Sequence, residues 1–318
     1  MARIIRPESR EAWLDVRSRG IGSSDVATLL GLNPYDSPFM LYKRKLGLEP
    51  PKETTPLMEL GHSLELAVAD YFERTTGRGI IASSAGDWMY QHEEKPYLMA
   101  SPDRLYWIDP NGAKHGKNAP ANKAILECKS TQKRIDAEEL PPYWFCQLQW
   151  QLGIAGMQQG SIAWLSSGRD FGWVDVAFNA EFFALMQDEA ERFWTHNIEG
   201  RNEPELTTTS DVLTKFFASR EGKTLRADSL IEQTVLDLKT LRAQIKELEA
   251  QEADLELSIK AAMADAEALI ATDGSTLATW RTTEGGARLD TKALRAAHPE
   301  LCAGFMKQTE GSRRFVLK

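Results

Sequence analysis

The chain has few cysteines, few histidines, no excess of positive charge and no long hydrophobic run. Only three of its 318 residues are cysteines, Cys128, Cys146 and Cys302, and no two of them have C-x-x-C spacing. This odd number and this spacing argue against a disulfide framework and against an iron–sulfur or zinc site. The five histidines are scattered and form no ligand pair at helical spacing. We therefore expect reduced thiols and no histidine-based metal centre.

Hydropathy and net charge narrow the class of protein further. No apolar run approaches the roughly 20 residues that a membrane-spanning helix needs. The first residues, MARIIRP, lack the apolar region of a secretory signal. We expect no membrane association and a cytoplasmic location. The net charge of −8 excludes a globally basic binder of nucleic acid, so a nucleic-acid substrate would have to be held by a local basic lining.

Two short motifs carry the residues suited to chemistry. The first is Ser101-Pro102-Asp103, and the second is Glu127-Cys128-Lys129 inside the apolar run 124–130. Side chains alternate between the two faces of a strand, so Glu127 and Lys129 are predicted to share one face while Cys128 lies on the other. The pattern therefore predicts a carboxylate and an ammonium group next to each other.

This combination is typical of metal-dependent phosphodiester hydrolysis. Hard cations such as Mg²⁺ take oxygen ligands, which Asp103, Glu127 and the Cys128 backbone carbonyl can supply. A divalent ion there would activate water and stabilise the departing oxygen. Lys129 would orient that water or neutralise developing charge. An ordinary surface strand can carry the same E-x-K triplet, so the triplet alone decides nothing.

Residues upstream of these two motifs predict a binding site for an anion and one further acidic side chain. Gly20-Ile21-Gly22 leads into a helix capped by Ser23 or Ser24, just after Arg17. The free backbone N–H groups at the start of this helix and the Arg17 guanidinium could together bind a phosphate. Ordinary helix capping is the alternative explanation for the same residues. Glu65 borders the apolar stripe of a predicted helix over 57–72.

The remaining pattern predicts the fold. Gln147 and Gln151 share one face of a helix predicted from Pro141-Pro142 to about Met157. Strands are predicted at 97–100, 105–108, 124–130, 161–165 and 172–178, with helices between them and a further helix over 181–196. The alternation of helices and strands indicates an α/β core whose central strands hold the acids.

Taken in order, these motifs resemble the YqaJ-type viral recombinase family, which is related to phage lambda exonuclease within the PD-(D/E)xK nuclease superfamily. The resemblance covers roughly residues 10 to 200. It implies a restriction-endonuclease-like core with a central mixed sheet flanked by helices. The motifs that carry it are Arg17, GIGSSD at 20–25, GLNPY at 31–35, GHSLE at 61–65, SPD at 101–103, ECK at 127–129 and QLQ at 147–149.

The resemblance also implies an activity and its residues. It implies Mg²⁺-dependent digestion of linear double-stranded DNA from 5′ to 3′, leaving a 3′ single strand for a single-strand annealing protein. Two ions roughly 4 Å apart are expected, with Mn²⁺ as a substitute. By position, Asp103 and Glu127 are similar to the family's metal ligands, and Glu65 is similar to its helical acid near the metals, which makes it a candidate further ligand. Lys129 and Gln147 are similar to its catalytic lysine and glutamine. Arg17 and Ser24 are similar to its ligands for the 5′-phosphate.

The chain is predicted to contain three regions: an exonuclease domain over 1–206, a linker and long helical or coiled-coil arm over 207–271, and a small α+β extension over 272–318. The arm has aliphatic residues at heptad spacing. The extension is predicted to be β-α-β, ending in a strand at 313–318. Two basic groups are candidate DNA contacts, with solvated surface as the alternative. They are Arg281, Arg288, Arg313 and Arg314 in the extension, and Lys114, Lys117 and Lys123 in the 109–123 insertion.

Two other functions remain open on the sequence alone. A restriction or repair endonuclease on the same fold would cut closed circular DNA. A non-catalytic DNA-end-binding scaffold would cut nothing, although the intact Asp103, Glu127 and Lys129 argue against it. The resemblance further implies a phage or prophage protein in a bacterial host, and a ring-shaped homo-oligomer is a hypothesis that follows from it.

Overall fold

The computed structural model describes residues 2–50, 55–81, 88–109, 122–216, 222–283, 285, 289–306 and 313–318. The chain forms two compact units, 1–215 and 216–318. The boundary predicted after residue 206 differs, because residues expected to form a linker belong to the first unit. There, Asp211 is fully buried and accepts a hydrogen bond from Ser37 Oγ at 2.6 Å. The division of 207–318 into an arm and an extension stays a prediction.

The first unit contains seven strands and seven helices among its described residues, the seventh helix ending one residue past the boundary. In chain order they are β1 (Ala2–Ile5), α1 (Arg10–Ser18), α2 (Ser23–Leu29), α3 (Pro38–Lys45), α4 (Pro56–Thr76), β2 (Met89–His92), β3 (Met99–Ala100), β4 (Arg104–Trp107), β5 (Lys123–Thr131), α5 (Pro142–Ala155), β6 (Gln159–Ser166), β7 (Asp170–Ala177), α6 (Ala180–Arg192) and α7 (Thr209–Phe216). A π-helical segment, Phe193–Glu199, continues α6, where the sequence predicted one regular helix.

The central sheet has the order β4-β5-β6-β7. β5 and β6 are parallel, whereas β4 and β7 are antiparallel to their neighbours. Two parallel strands need a crossover connection, and α5 supplies it between β5 and β6. The sheet is therefore mixed and flanked by helices, which confirms the fold class expected from the sequence.

Successive side chains of β5 point to opposite faces of the sheet and pack into the hydrophobic core on both. Ile125 packs with α5 residues such as Leu148 on one side. Leu126 and Cys128 pack against Phe72 of α4 on the other. Because both faces of β5 are covered, its side chains are buried from Ala124 to Cys128. The strand is thus held rigidly between two helical layers, and this rigidity positions the polar residues at its end.

A second sheet has the order β1-β2-β3, and its strands β2 and β3 contact α5. An isolated parallel bridge joins Ile21 to Leu98, and Met99 N–H donates to the Ile21 carbonyl at 2.9 Å. This contact fixes the turn between α1 and α2 against β3, which leads directly to Asp103. The sequence did not predict β1 or β2.

The second unit is dominated by α8 (Ser229–Met263), a helix of 35 residues that confirms the predicted long helix. It also contains the hairpin β8 (Ala268–Ile270) and β9 (Thr276–Thr279), then α9 (Thr291–Ala297) and α10 (Pro299–Ala303). The predicted terminal strand at 313–318 is wrong, because these residues pair with no strand in the described part of the chain. Lys114, Lys117 and Arg288 lie outside the described residues. No helix within the described ranges is long and apolar enough to cross a bilayer.

Candidate active site

A cavity of about 250 Å³ in the first unit brings the predicted site residues together. Three larger cavities among the described residues, of about 1020, 930 and 340 Å³, are lined by none of them. Every candidate catalytic, metal-binding or phosphate-binding residue named from the sequence lines the small cavity. Its lining consists of Trp13, Arg17, Ser23, Ser24, His62, Glu65, Ser101, Asp103, Glu127, Cys128, Lys129 and Gln147.

Glu127 and Lys129 lie on the same face of β5, as alternation predicts. The Lys129 ammonium donates to Glu127 Oε1 at 2.5 Å and to Gln147 Oε1 at 2.9 Å. Gln147 reaches this point from the middle of α5. Burial alone would lower the pKa of Lys129, but the charges of Glu127 and Asp103 outweigh it and raise the pKa. Lys129 is therefore a cation throughout the neutral pH range.

Gln151 is a site residue to which the sequence gave no role. Its Nε2 donates to Glu127 Oε2 at 2.8 Å, so both oxygens of Glu127 have partners. Gln151 is fully buried, and its own Oε1 has no hydrogen-bond partner. The sequence signal was its position one helical turn after Gln147. That spacing showed a shared helix face, but it could not show which side chain faces Glu127.

Asp103 sits immediately before β4, at the level of Glu127. Arg104 pairs with Leu126, so extending this register by one residue places Asp103 opposite Glu127. Asp103 Oδ2 accepts the Cys128 N–H at 2.8 Å. Because the N–H and C=O of one strand residue point to the same side, the Cys128 carbonyl also faces Asp103. This geometry brings together three of the oxygen donors predicted for a cation.

Crowding of negative charge perturbs the groups around Asp103. Burial, followed by repulsion from Glu127 and Glu65, raises the pKa of Asp103 well above its usual value. Burial, followed by the charges of Asp103 and Glu127, raises the pKa of the Cys128 thiol, so this thiol stays protonated at neutral pH. A positive charge brought between these acids would be stabilised by all of them.

Glu65 lies on α4, the helix that covers one face of β5. Its carboxylate is partly shielded from solvent, and Oε1 lies 3.0 Å from His62 Nδ1. The sequence placed Glu65 at the border of an apolar stripe, where it could face either solvent or the site. In the structure it lines the cavity together with Asp103 and Glu127.

The donor set fits a hard divalent cation, although it does not form a closed cage. No group of three His, Cys, Asp or Glu side chains in the described ranges is already arranged to hold a metal ion. The reason is visible at Glu127, where Lys129 and Gln151 occupy both oxygens. Around Lys129, the three carboxylates of Glu65, Asp103 and Glu127 nevertheless give this group a net charge of −2 when all are ionised. This surplus matches one divalent cation bound by oxygen ligands.

Arg17, which also lines the cavity, belongs to a second group of charged side chains, whose net charge is positive. Arg17 NH1 donates to Asp25 Oδ2 at 2.6 Å, and NH2 donates to Ser24 Oγ at 3.1 Å. Lys45 of α3 also binds Asp25 Oδ2, at 3.0 Å, and donates to the Arg17 backbone carbonyl. Two cations therefore share one carboxylate, which leaves this group with a net charge of +1. The sequence predicted Arg17 and Ser24 but not Asp25 or Lys45.

The close packing of this group explains both a glycine and two pKa shifts. A Cβ on Gly22 would lie 2.5 Å from Arg17 Cζ, so only glycine leaves room for the guanidinium. Burial would raise the pKa of Asp25, but Arg17 and Lys45 together lower it. Burial, opposed in part by Asp25, lowers the pKa of Lys45 to about 8.

Two buried polar atoms that line the cavity have no hydrogen-bond partner. They are Nε1 of Trp13 and Oγ of Ser23. An unpaired buried donor costs roughly 1–3 kcal/mol, so such atoms commonly face a ligand site. Trp13 lies one helical turn before Arg17 on α1, on the same face. The sequence gave Trp13 no role, because tryptophan on an amphipathic helix most often indicates packing, and it named Ser23 only as a helix cap.

Comparisons with known proteins give a family match and several more distant structural likenesses. The model of the YqaJ-like viral recombinase domain matches residues 12–158. The uncharacterized protein YqaJ of Bacillus subtilis (strain 168) is 30% identical over 321 residues, which cover 98% of this chain and 94% of that protein.

Among solved structures, an alkaline exonuclease, LHK-Exo, from Laribacter hongkongensis is 17% identical, with a TM-score of 0.46 over 60% of this chain and 93% of that chain. A phage-related exonuclease from Haemophilus somnus 129PT is 11% identical, with a TM-score of 0.39 over 57% of this chain and 96% of that chain. Likenesses this distant carry no argument about chemistry.

Proposed function

Because the chain belongs to the YqaJ-like viral recombinase family, we propose that it is a divalent-metal-dependent nuclease that digests linear duplex DNA from its ends. The observation that carries this proposal is that two groups of side chains with opposite net charge line one cavity. Three carboxylates surround Lys129 in one group, and the other contains Arg17, Ser24 and two residues with unpaired donors. A DNA terminus presents two phosphates in sequence, one to be cut and one to be held.

The carboxylate group is suited to phosphodiester hydrolysis. Asp103, Glu65 and the Cys128 carbonyl would hold the cation together with Glu127, with Mg²⁺ as the expected ion, Mn²⁺ as a substitute and a second ion alongside. The bound metal would supply an activated water and stabilise the leaving oxygen. Lys129 contributes a fixed positive charge beside the reacting phosphate. Gln147 orients Lys129, and Gln151 orients Glu127.

The cationic group is suited to a terminal phosphate. Arg17 presents a planar set of donors that matches phosphate oxygens, and the Ser24 hydroxyl is hydrogen-bonded to the Arg17 guanidinium. Trp13 Nε1 and Ser23 Oγ are donors that a phosphate would satisfy. Holding the terminal phosphate sets how far the strand enters the cavity, so ends are favoured over internal positions.

The direction and products follow the resemblance to lambda-type exonucleases. We propose digestion from 5′ to 3′, which releases nucleotides from one strand and leaves a 3′ single strand. A single-strand annealing protein would then bind that strand during homologous recombination.

Hydrolysis of linear and closed circular duplex DNA tests this proposal. With Mg²⁺, the wild-type protein is expected to consume 5′-phosphorylated linear duplex and to leave covalently closed circles intact. Lys129→Met should abolish hydrolysis, whereas Lys123→Met should not. Lys123 lies on the same strand, 5.5 Å from the centre of the Trp107 ring, and does not line the cavity. Loss of the circles would favour the endonuclease alternative, and no wild-type turnover would favour the scaffold.

A further inference from the structure

Helix α8 carries an apolar stripe with the spacing of a two-stranded coiled coil. The stripe, here called the seam, consists of two sets of positions that each recur every seven residues. The a positions begin at residue 231, and the d positions begin at residue 234. Large aliphatic side chains fill four of five a positions and three of five d positions. Such a repeat over five heptads specifies a helix as the partner. The aliphatic seam residues are Ile231, Leu238, Ile245 and Ile259 at a, and Leu241, Leu248 and Leu255 at d.

We propose that α8 pairs with α8 of a second copy of this chain as an antiparallel coiled coil. Six of the seven aliphatic seam side chains are between 44% and 67% exposed. At 1.5 Å per residue the helix is about 52 Å long, and most helical stability in proteins comes from packing an apolar face. A seam exposed along such a length requires a partner of similar length, and a second α8 provides it.

The one charged seam residue selects the orientation. Glu252 occupies an a position. In a parallel pair it would meet Glu252 of the second copy inside the seam, where two like charges repel. In an antiparallel pair it lies opposite Leu241 of the second copy. The two Glu252 residues are then 11 positions apart along the axis, or about 16 Å at 1.5 Å per residue.

The antiparallel alignment is self-complementary over the whole helix. Seam residues whose numbers sum to 493 face each other. In this register the two copies of α8 overlap over nearly their full length. Beside the seam, Arg242 lies two positions along the axis from the level of Glu249 of the second copy, within reach of an ion pair that the twofold axis repeats. The facing seam pairs are Ile231 with Ala262, Leu238 with Leu255, Ile245 with Leu248, Glu252 with Leu241, and Ile259 with Thr234.

This pairing concerns residues 229–263 alone, so it stands or falls independently of the proposed nuclease function. Light scattering on the full chain should give twice the mass of one chain, which is 35.7 kDa. Ile245→Asp should halve that mass, whereas Lys246→Asp, on the outward face beside it, should leave it unchanged. Circular dichroism checks that both variants remain helical. A wild-type protein with the mass of one chain, or an Ile245→Asp variant that stays dimeric, would overturn the proposal.

Disulfide trapping then tests the orientation in a Cys302→Ser background, where the two remaining native cysteines are buried. A mixture of Leu241→Cys and Glu252→Cys chains should form a disulfide between the two kinds of chain on mild oxidation. Neither variant alone should crosslink to itself, and mass spectrometry of the linked peptides identifies the pair. Crosslinking between two Leu241→Cys chains would show a parallel pair. A mixture that forms no crosslink would show that residues 241 and 252 do not face each other. Either result overturns the inference.

Discussion

Gln151 donates a hydrogen bond to the oxygen of Glu127 that Lys129 leaves free. The Nε2 to Oε2 distance is 2.8 Å, and Lys129 holds Oε1 at 2.5 Å. Glu127 is 1% exposed, so no solvent competes with either partner. The carboxylate is thereby fixed in the plane that its two neighbours define. In the proposed enzyme, this fixes the direction in which Glu127 can present a lone pair to a cation.

Gln151→Met should therefore reduce activity without unfolding the protein. Partners of a metal-ligating group typically contribute about 10- to 100-fold to metal affinity or activity, and a loss of that size is expected here. The measurement is the initial rate of hydrolysis against Mg²⁺ concentration, where the midpoint should move to higher Mg²⁺.

Gln149→Met is the matched control. Gln149 is equally buried on α5, but it binds the Ala177 carbonyl and the Asn179 N–H instead of a site residue. Its replacement should lower the melting temperature and leave the Mg²⁺ midpoint unchanged. Equal midpoints in the two variants would mean that Gln151 acts only in packing.

Arg17→Ala should weaken the preference for 5′-phosphorylated ends. Hydrogen bonds to a charged group contribute about 1.5–3 kcal/mol, so the preference should fall by about 10- to 100-fold. Asp25 remains paired with Lys45, which keeps the group folded. The measurement is the ratio of initial rates on duplexes with 5′-phosphate and 5′-hydroxyl ends. An unchanged ratio would remove Arg17 from the phosphate site.

The central strand and its acids could be predicted from sequence because the signals are local. Alternation alone places Glu127 and Lys129 on one face of β5, and the buried neighbour Leu126 on the other. The predicted cap at Ser23 or Ser24 gives α2 close to its observed start at Ser23. Wherever neighbours in sequence determine the structure, the prediction holds.

Contacts between distant segments could not be predicted in this way. Whether Gln151 faces Glu127 depends on how α5 docks on the sheet, which no spacing within α5 encodes. Asp211 looks like a linker residue until its partner Ser37, 174 positions earlier, is known. The prediction of a terminal strand at 313–318 is wrong because a strand must pair with a neighbouring strand, and the local sequence pattern does not show whether one is present.

Gly22→Ala should impair the phosphate site while leaving the fold intact. The added Cβ would lie 2.5 Å from Arg17 Cζ, and the guanidinium is the group free to move. We expect a several-fold fall in the preference for phosphorylated ends, smaller than for Arg17→Ala, and little change in melting temperature. Gly61→Ala is the control, because its Cβ would make only ordinary contact, 3.7 Å from Ser130 Oγ. A Gly22→Ala protein with full preference would contradict this account of the pocket.

The preference for phosphorylated ends should also depend on pH through Lys45. Its pKa is lowered to about 8, so the ammonium is charged below that pH and neutral above it. The Arg17, Lys45 and Asp25 group loses its net positive charge as pH rises through this value. The ratio of rates on 5′-phosphate and 5′-hydroxyl ends should therefore fall across that range.

Lys45→Arg stays charged over the same interval and should show a flat ratio. Rates on hydroxyl ends serve as the reference for every other effect of pH on hydrolysis. A wild-type ratio that stays constant while pH crosses the pKa of Lys45 would exclude this residue from the phosphate site.

The central claim, a cutting centre next to a pocket for the terminal 5′-phosphate, is tested most directly by following the two ends of one strand. A linear duplex labelled at either the 5′ or the 3′ terminus of the same strand is incubated with wild-type protein and Mg²⁺. The account predicts that the 5′ label leaves first, in the earliest short product, while the 3′ label stays on a gradually shortening strand. Early release of the 3′ label, or internal cuts with both labels on long fragments, would contradict it.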